Sequence, residues 1–322
     1  MFSRKTRKPS APVDGRMDAV VIHRFGGPEV LECTTVERPT PRLHDVIIRV
    51  RAVGISPLDW KTRTGEGLWD RGRRFPAVLG WDVSGTVAER GRLVGEFEEG
   101  DDVFGLANYP VGGAYAEYVR VPMEQLVAKP QAVSHAEAAA VPLVGLAAYQ
   151  ALFEVGRLSQ GKRVLIHGAA GGVGHIAVQL AKSCGAHVVG TASGRNLEFV
   201  RALGADEVIN YATTPFERGT APVDLVLDTV GGEVTERSHD VLSRHGVIVT
   251  LNGGFQRKGV GARRVLTLSL KPDQATLRKL ANLLADGVVR TSVTTVSGLR
   301  AVSDAHRISE TGHVRGKVVV TV

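Results

Sequence analysis

Cysteine is scarce in this chain: its 322 residues include two, Cys33 and Cys184, which are far apart in sequence. So small a number excludes a framework of disulfides and a cysteine-rich zinc site. The shortage also fits the reducing conditions of the cell interior. We therefore expect a cytoplasmic protein.

Long apolar runs are missing as well. The longest run of small apolar residues, around 138–149, contains Pro142 and Gly145 and is too short to span a bilayer. Hydrophobic residues make up 43% of the chain and charged residues 23%, which is typical of a soluble globular protein. We expect no membrane partner, and 322 residues are enough for two domains with full cores.

Acidic residues are nearly absent from the start of the chain, whose formal charge as a whole is +7. Residues 1–16 contain a single acid, Asp14, against the basic residues Arg4, Lys5, Arg7, Lys8 and Arg16. The segment also lacks the apolar stretch of a signal peptide. We interpret residues 1–16 as a disordered basic tail, in preference to an arm that binds nucleic acid.

Short strand patterns dominate the next part of the chain. Glycine-rich turns separate them, no helical pattern longer than two turns interrupts them, and they lie at 18–23, 46–53, 82–88, 102–106 and 115–121. This arrangement predicts a small barrel or sandwich. Ser134 and Glu137 have the spacing of a capping box and mark the first helix after the strands. We interpret His135, between them, as incidental to catalysis.

The stretch 163–184 contains the strongest motif. A short apolar strand runs into a glycine-rich turn, Ala169-x-Gly171-x-x-Gly174, and then into a helix that ends at Gly185. Such a turn lets the backbone approach a dinucleotide pyrophosphate, and the helix offers free N–H groups to it. Alanine replaces the first glycine of the usual fingerprint. We predict dinucleotide binding by Ala170, Gly171, Gly172, Val173 and Gly174.

Strands and helices alternate after this turn. The further strands are predicted at 187–191, 206–210, 223–228, 246–251 and 265–270. Apolar strands that alternate with helices are typical of a parallel sheet covered on both faces, so we predict a Rossmann-type domain with six strands. The terminal strand, from residue 316 onward, has no place in that sheet and is expected to pair with the first domain.

The end of the second strand of this domain indicates the cofactor. An enzyme that uses NAD has an Asp or Glu there for the ribose 2′-hydroxyl. Residues 190–196 contain no acid and offer the Ser193 hydroxyl and the Arg195 guanidinium, which suit a 2′-phosphate. The alternative is that Arg195 is a solvated residue at a helix start. We predict NADPH rather than NADH.

A second turn follows the fifth strand of the domain. Leu251, Asn252 and Gly253 lie where such folds bring the backbone near the nicotinamide. An ordinary turn would have the same composition, and the residues leave the two interpretations open. We include these three among the residues predicted to bind the cofactor.

Five motifs occur along nearly the whole chain: GISPLDWK at 54–61, PAVLGWD at 76–82, GAAGGVG at 168–174, GADEVINY at 204–211 and HVRGKVV at 313–319. In this order they resemble the zinc-independent quinone oxidoreductases, the ζ-crystallin-like branch of the medium-chain dehydrogenase/reductase superfamily. The resemblance implies an α/β protein with two domains. A GroES-like, β-rich catalytic domain would comprise 17–137 and 272–322, and a Rossmann NADPH-binding domain with a doubly wound parallel sheet would comprise 138–271.

Further site residues and a partner follow from the resemblance. By position, Tyr211 would join Ser193 and Arg195 at the 2′-phosphate, and Gly316 and Lys317 would lie near the nucleotide. Members of this branch are usually dimers joined through edge strands of their Rossmann sheets. The resemblance therefore implies a homodimer.

The chemistry that the resemblance implies depends on absent zinc ligands. Zinc-dependent relatives have a cysteine and a His-Glu pair where this chain has Ser56, Trp81 and Asp82. Without thiolate or imidazole ligands there is no Lewis acid to polarise an alcohol, so we expect no metal and an acceptor that is already electrophilic. A quinone or an α,β-unsaturated carbonyl meets that requirement. The candidate catalytic residues in the cleft are Ser56, Asp59, Lys61 and Tyr109.

Two positions depart from the family pattern. The family usually has Asn where Ser56 stands and Thr where Ala147 stands, and both positions face the nicotinamide cleft, so hydrogen bonding there is altered. Asp59 could equally be a structural partner of Lys61. Two other functions stay open: a 2-enoyl-thioester reductase of polyketide or lipid metabolism, and a catalytically idle NADPH-binding protein with a structural or RNA-binding role. The basic tail is the feature that supports the second.

Overall fold

Short runs of apolar and β-branched residues, most of them buried, build the first part of the fold as strands. The computed structural model describes residues 15–68, 74–252 and 265–322. The first strands are β1 Arg16–Ile22, β2 Glu32–Glu37, β3 Asp45–Ile55, β4 Ala77–Val78, β5 Asp82–Arg90, β6 Asp102–Leu106, β7 Tyr118–Pro122 and β8 Leu126–Ala128. One sheet has the order β2-β1-β4, and a larger sheet contains β3-β5-β6-β8, with β7 also paired to β3. The predicted β-rich first domain is confirmed.

Three short helices pack beside these strands, and the last of them leads to the second sheet. They are α1 Pro57–Thr64, α2 His135–Ala139 and α3 Pro142–Tyr149, the last continued by a π-helical turn at 150–155. The predicted capping box begins α2: Ser134 N donates to Glu137 Oε2 at 2.9 Å, and Glu137 N donates to Ser134 Oγ at 3.2 Å. Through α3 the chain passes to the second sheet.

The second sheet is the predicted Rossmann sheet. Its elements are β9 Arg163–His167, α4 Gly172–Ser183, β10 His187–Ala192, α5 Leu197–Ala202, β11 Glu207–Asn210, α6 Phe216–Gly219, β12 Val223–Asp228, α7 Glu233–Arg237, β13 Leu242–Thr250 and β14 Val265–Thr267. The strands are parallel in the order β11-β10-β9-β12-β13-β14. The order reverses between β9 and β12, and such a reversal opens a crevice at the carboxyl ends of the strands.

Two strand boundaries in this sheet differ from the prediction by more than one residue. β13 begins at Leu242 rather than at residue 246, because its first residue pairs with Val223 of β12 across a bulge. β14 ends at Thr267 rather than at residue 270, because its partner β13 ends at Thr250, directly opposite. In both cases pairing between strands overrides the local pattern.

The chain then returns to the first domain. The remaining elements are α8 Gln274–Ala285, β15 Val293–Ser297, α9 Val302–Glu310 and β16 Lys317–Thr321. β16 pairs antiparallel with β3 and parallel with β15, so the terminal strand joins the larger first sheet, as predicted. Across the described ranges, no helix is both long enough and apolar enough to cross a membrane.

The two domains share a hydrophobic core at their border. Trp81, Phe104 and Leu106 of the first domain are buried in the same cluster as Leu146 of α3 and Ile166 of β9. Trp81 is fully buried and its indole N–H donates to Pro110 O at 3.2 Å. The border is therefore packed side chain against side chain, and Trp81 contributes the largest of those side chains.

We expect Trp81→Ala to lower the free energy of unfolding by about 3–5 kcal/mol, because it leaves a large cavity in this shared core. Leu93 is 52% exposed, and Leu93→Ala serves as a control that should change stability by less than about 0.5 kcal/mol. Urea denaturation of the three proteins measures both effects. Equal stability of the two variants would show that Trp81 does not support the domain border.

Candidate functional site

A cleft of about 950 Å³ opens at the carboxyl ends of the Rossmann strands and faces the first domain. It brings together most of the residues predicted for the site. These are Ser56, Lys61, Tyr109, Ala170, Gly171, Gly172, Val173, Ser193, Arg195, Tyr211, Leu251, Asn252, Gly316 and Lys317. Gly174 and Asp59 do not line the cleft, and Gly253 lies outside the described residues.

The glycine turn forms one wall and fits a pyrophosphate. Gly171 caps helix α4 without offering a side-chain acceptor, so the first N–H groups of the helix remain available to a ligand at its positive end. Gly174 packs against the turn: a Cβ there would lie 2.1 Å from Gly168 O. Gly171 and Gly172 present no side chain to the cleft that would hold a phosphate away.

The alanine in the fingerprint has a structural explanation. The left-handed backbone of the turn falls on Gly168, with φ of +66°, one position before Ala169. The Ala169 methyl group is fully buried and occupies space beside Gly190 of β10, where an added Cβ would lie 3.0 Å from it. Ala169 N donates to Thr191 O at 3.0 Å. The turn is therefore intact although its first glycine is displaced by one residue.

The end of β10 is basic, as predicted. The Arg195 guanidinium donates to His313 O at 3.0 Å, so it lies across the cleft edge rather than free in solvent. Sequence analysis missed Arg315, which donates to Asn196 Oδ1 and to Arg195 O and stacks over the Phe199 ring at 4.9 Å. Residues 313–315 reach the end of β10 only in the folded chain, so no sequence motif indicates that Arg315 lies beside Arg195.

A buried ion pair lies behind the glycine turn. Lys317 Nζ is 2.9 Å from Asp82 Oδ2, and both residues are almost completely buried. Asp82 Oδ1 accepts from Leu143 N at 2.6 Å, at the start of α3. Next to the pair, Gly316 N donates to Ala170 O at 2.9 Å. These contacts hold β5, β16, α3 and the glycine turn in one arrangement.

Asp59 does not line the cleft. It is also not a structural partner of Lys61, which was the alternative left open by the sequence. Its carboxylate is buried and accepts from Ser56 N at 2.7 Å, from Ser56 Oγ at 2.6 Å and from Tyr115 Oη at 2.8 Å. Burial raises the pKa of Asp59 to about 6, although Lys317, Ser56 and Tyr115 each act to lower it. Ser56 therefore stands between the cleft and a carboxyl group that titrates near neutrality.

A serine–histidine–aspartate arrangement lies outside the cleft. Ser84 Oγ is 2.8 Å from His135 Nδ1, and His135 Nε2 is 3.4 Å from Asp102 Oδ1. Ser84 is fully buried and its hydroxyl also donates to Val103 O, so a substrate has no access to it. This arrangement supports packing of α2 on the sheet and not nucleophilic catalysis.

The positions that hold zinc ligands in the zinc-dependent relatives already have other partners here. Ser56 Oγ donates to Asp59, the Trp81 indole to Pro110, and Asp82 binds Lys317 and Leu143 N. Indole and hydroxyl groups are also poor zinc ligands. In the part of the chain that the structure describes, no cluster of three or more His, Cys, Asp or Glu side chains could hold a metal ion. The side chains at these positions do not fit a zinc site.

Known protein families match both domains. The alcohol dehydrogenase GroES-like domain matches residues 42–131, and a family described as zinc-binding dehydrogenase matches residues 203–320. The chloroplast envelope quinone oxidoreductase homolog of Arabidopsis thaliana is 35% identical over 94% of this chain and 98% of its own length. The 2-methylene-furan-3-one reductase of Solanum lycopersicum is 34% identical over 97% of this chain and 80% of its own length.

Solved structures match the whole fold. The quinone oxidoreductase from Coxiella burnetii superposes with a TM-score of 0.88 at 37% identity, covering 95% of this chain and 99% of that one. The Escherichia coli quinone oxidoreductase, solved in complex with NADPH, has a TM-score of 0.84 at 28% identity, covering 95% of this chain and 100% of that one. The likeness therefore extends over both domains and the cleft between them.

We expect Gly174→Ala to weaken binding of NAD(P)H at least about tenfold, a loss of about 1.4 kcal/mol. The added methyl group meets Gly168 O and pushes the turn away from the pyrophosphate position. Gly95 has no atom within 4 Å of an added Cβ, so Gly95→Ala is the matched control. Titration of NADPH fluorescence measures both dissociation constants. Unchanged binding by Gly174→Ala would contradict the role given to this turn.

Proposed function

This chain belongs to the quinone oxidoreductase branch of the medium-chain dehydrogenase/reductase superfamily, and on that premise we propose that it reduces a quinone or an α,β-unsaturated carbonyl compound with NADPH. Use of NAD(P)H follows from the family. The choice of NADPH and of the acceptor class is our proposal. The observation that carries it is the cleft, where a wall with a basic side chain, here called the dinucleotide wall, adjoins a mainly apolar wall, here called the acceptor wall.

The dinucleotide wall supports NADPH by its charges. Arg195 lines the cleft at the end of β10, and Ser193 and the half-exposed Tyr211 offer hydroxyl groups there. The Arg315 guanidinium donates to Arg195 O and is not among the groups that line the cleft. The Arg195 guanidinium can bind a 2′-phosphate through charge-assisted hydrogen bonds, while a 2′-hydroxyl needs an acid that residues 190–196 do not contain. Helix α4 would hold the pyrophosphate.

The acceptor wall is mainly apolar. Side chains from α1, the loop after it, α3 and the segment after β14 line it, with Tyr109 at one side: Leu58, Trp60, Leu68, Leu143, Val144, Leu268 and Leu270. Such a surface excludes water and binds a flat conjugated molecule. When bound, the reduced nicotinamide supplies a hydride, and the chain supplies position, shape and a proton donor. A conjugated acceptor also needs no Lewis acid, which agrees with the residues at the zinc positions.

Relatives support this choice of acceptor through their names. One is a quinone oxidoreductase homolog, and another is a 2-methylene-furan-3-one reductase. Pairing of two copies through edge strands of their Rossmann sheets, and a cytoplasmic location, stay predictions that follow from the resemblance and from the composition. The E. coli structure in complex with NADPH supports the cofactor choice in the same indirect way.

We expect the purified protein to oxidise NADPH in the presence of quinones and enones, because both accept hydride without metal activation. The measurement is the loss of NADPH absorbance with a panel of quinones, enones and enoyl thioesters. A preference for enoyl thioesters would favour the alternative reductase function. Tight NADPH binding with no turnover of any acceptor would contradict an enzymatic role. Treatment with a strong chelator should leave the rate unchanged.

We expect Arg195→Ala to raise the KM for NADPH about ten- to a hundredfold while the KM for NADH stays nearly constant. The reason is the loss of charged hydrogen bonds to a phosphate that NADH lacks, worth about 1.5–3 kcal/mol. Arg201 lies on the neighbouring helix α5, pairs with Glu198 and does not line the cleft, so Arg201→Ala is the matched control. Equal effects on both cofactors would overturn the 2′-phosphate assignment.

A further inference from the structure

A continuous chain of buried hydrogen bonds leads from the cleft into the first domain. Behind Ser56 it passes through Asp59, Tyr115 and His306 to Arg63, which pairs with Glu310 at 2.5 Å. The Ser56–Asp59 link lies at the start of α1, and every later link joins residues of different elements, from α1, the loop before β7 and α9. Tyr115, His306 and Arg63 are nearly or completely buried, and sequence analysis identified none of them.

The donors in this chain all point toward Asp59. A guanidinium group has only donors, so Arg63 Nη1 donates to His306 Nδ1 at 3.1 Å, which leaves the hydrogen of His306 on Nε2. His306 Nε2 then donates to Tyr115 Oη at 3.0 Å, and Tyr115 donates to Asp59 Oδ1. Burial and the charge of Arg63 lower the pKa of His306 to about 3, so the ring is neutral, as this direction requires.

The surroundings of Asp59 raise its pKa toward neutral pH, and burial rather than charge is the cause. Lys317 on β16 attracts the carboxylate and Asp82 on β5 repels it, while Lys317 is already bound to Asp82. Tyr115 and His306 face Asp59 as neutral groups, and the Arg63 charge is directed to Glu310. Burial has the largest effect and raises the pKa of Asp59 to about 6.

We propose that Ser56 is the catalytic proton donor of the reduction and that Asp59, behind it, resupplies the Ser56 hydroxyl. The proposal rests on the proposed function, because it assigns the proton that must accompany the hydride. Ser56 is the member of the chain that lines the cleft, and its Oγ is 2.6 Å from Asp59 Oδ2. Asp59 acts only through Ser56 and is a positioning residue.

The protonation state of Asp59 decides what Ser56 presents to the cleft. When Asp59 is a carboxylate, the single hydroxyl hydrogen of Ser56 is directed to Oδ2, so Ser56 can only accept a hydrogen bond from the cleft. When Asp59 is protonated, its O–H donates to Ser56 Oγ, and the Ser56 hydrogen turns toward the acceptor. Protonation thus converts Ser56 from an acceptor into a donor.

The step balances in atoms and charge. The acceptor carbon gains a hydride and its two electrons from the reduced nicotinamide, which is oxidised. The Ser56 O–H bond breaks as an O–H bond forms on the acceptor oxygen, and the Asp59 proton moves to Ser56 Oγ. Asp59 is left as a carboxylate and regains a proton through Ser56 from water that enters the cleft after the product leaves.

The pH dependence of kcat tests this assignment. Protonated Asp59 is the active form, so the wild-type rate is full below about pH 6 and falls tenfold per unit as pH rises further. Ser56→Ala and Asp59→Asn should lower kcat on the order of a hundredfold and abolish this dependence. Ser56→Thr keeps a hydroxyl and should keep the dependence. Thr64→Ala removes a hydroxyl at the exposed end of the same helix and should change nothing.

A second measurement needs no substrate. Infrared titration should show a protonated carboxyl band that disappears near pH 6 in the wild type and is absent from Asp59→Asn. A wild type that turns over acceptors at a rate independent of pH between about 5 and 8, or the absence of this band, overturns the proposal while the proposed function stands. No turnover of any acceptor by the wild type, whatever the infrared result, overturns the proposed function and the proton-donor role with it.

Discussion

The buried pair of Lys317 and Asp82 is the interaction on which the cleft depends. It joins β16 to β5, and the second oxygen of Asp82 holds the first free N–H of α3. Gly316, next to Lys317, bonds the glycine turn directly. Removing one partner of a buried pair leaves an uncompensated charge at a cost of about 3–5 kcal/mol. The pair therefore fixes this part of the first domain's sheet, to which the bonds of Leu143 N and Gly316 N attach α3 and the glycine turn.

The same pair shapes the chemistry of the cleft. One ammonium group faces two buried carboxyl groups, Asp82 and Asp59, and lies 2.9 Å from the former. Because Lys317 is already paired with Asp82, burial of a second negative charge on Asp59 is unfavourable, and the pKa of Asp59 rises. Asp82 stands at the position of a zinc ligand in the zinc-dependent relatives, and here it forms a structural ion pair with Lys317. Ser56 stands at another such position and is hydrogen-bonded to the acid Asp59. A metal site is thus replaced by an arrangement suited to moving a proton.

How far the site could be predicted depends on how far apart its residues lie in sequence. The glycine turn, the cap at Ser134, and Ser193 and Arg195 are local patterns whose meaning follows from the strand or helix that carries them. Asp59 was a candidate residue of the cleft, but its burial away from the cleft could not be predicted because its partner Tyr115 is 56 positions away. Neither Arg63 nor His306 belongs to a motif. Their contact could not be predicted because 243 positions separate them in sequence.

By itself, the sequence determined the two domains, the dinucleotide wall and the absence of thiolate and imidazole ligands, because periodicity, glycine spacing and residue type act over a few neighbouring residues. Only the tertiary structure decided that Lys317 neutralises Asp82, that Arg315 joins Arg195, and that Asp59 is buried behind Ser56. These outcomes depend on which strands and helices pack together and on how completely water is excluded there. Ionisation and hydrogen-bond direction follow from that exclusion, which no local pattern encodes.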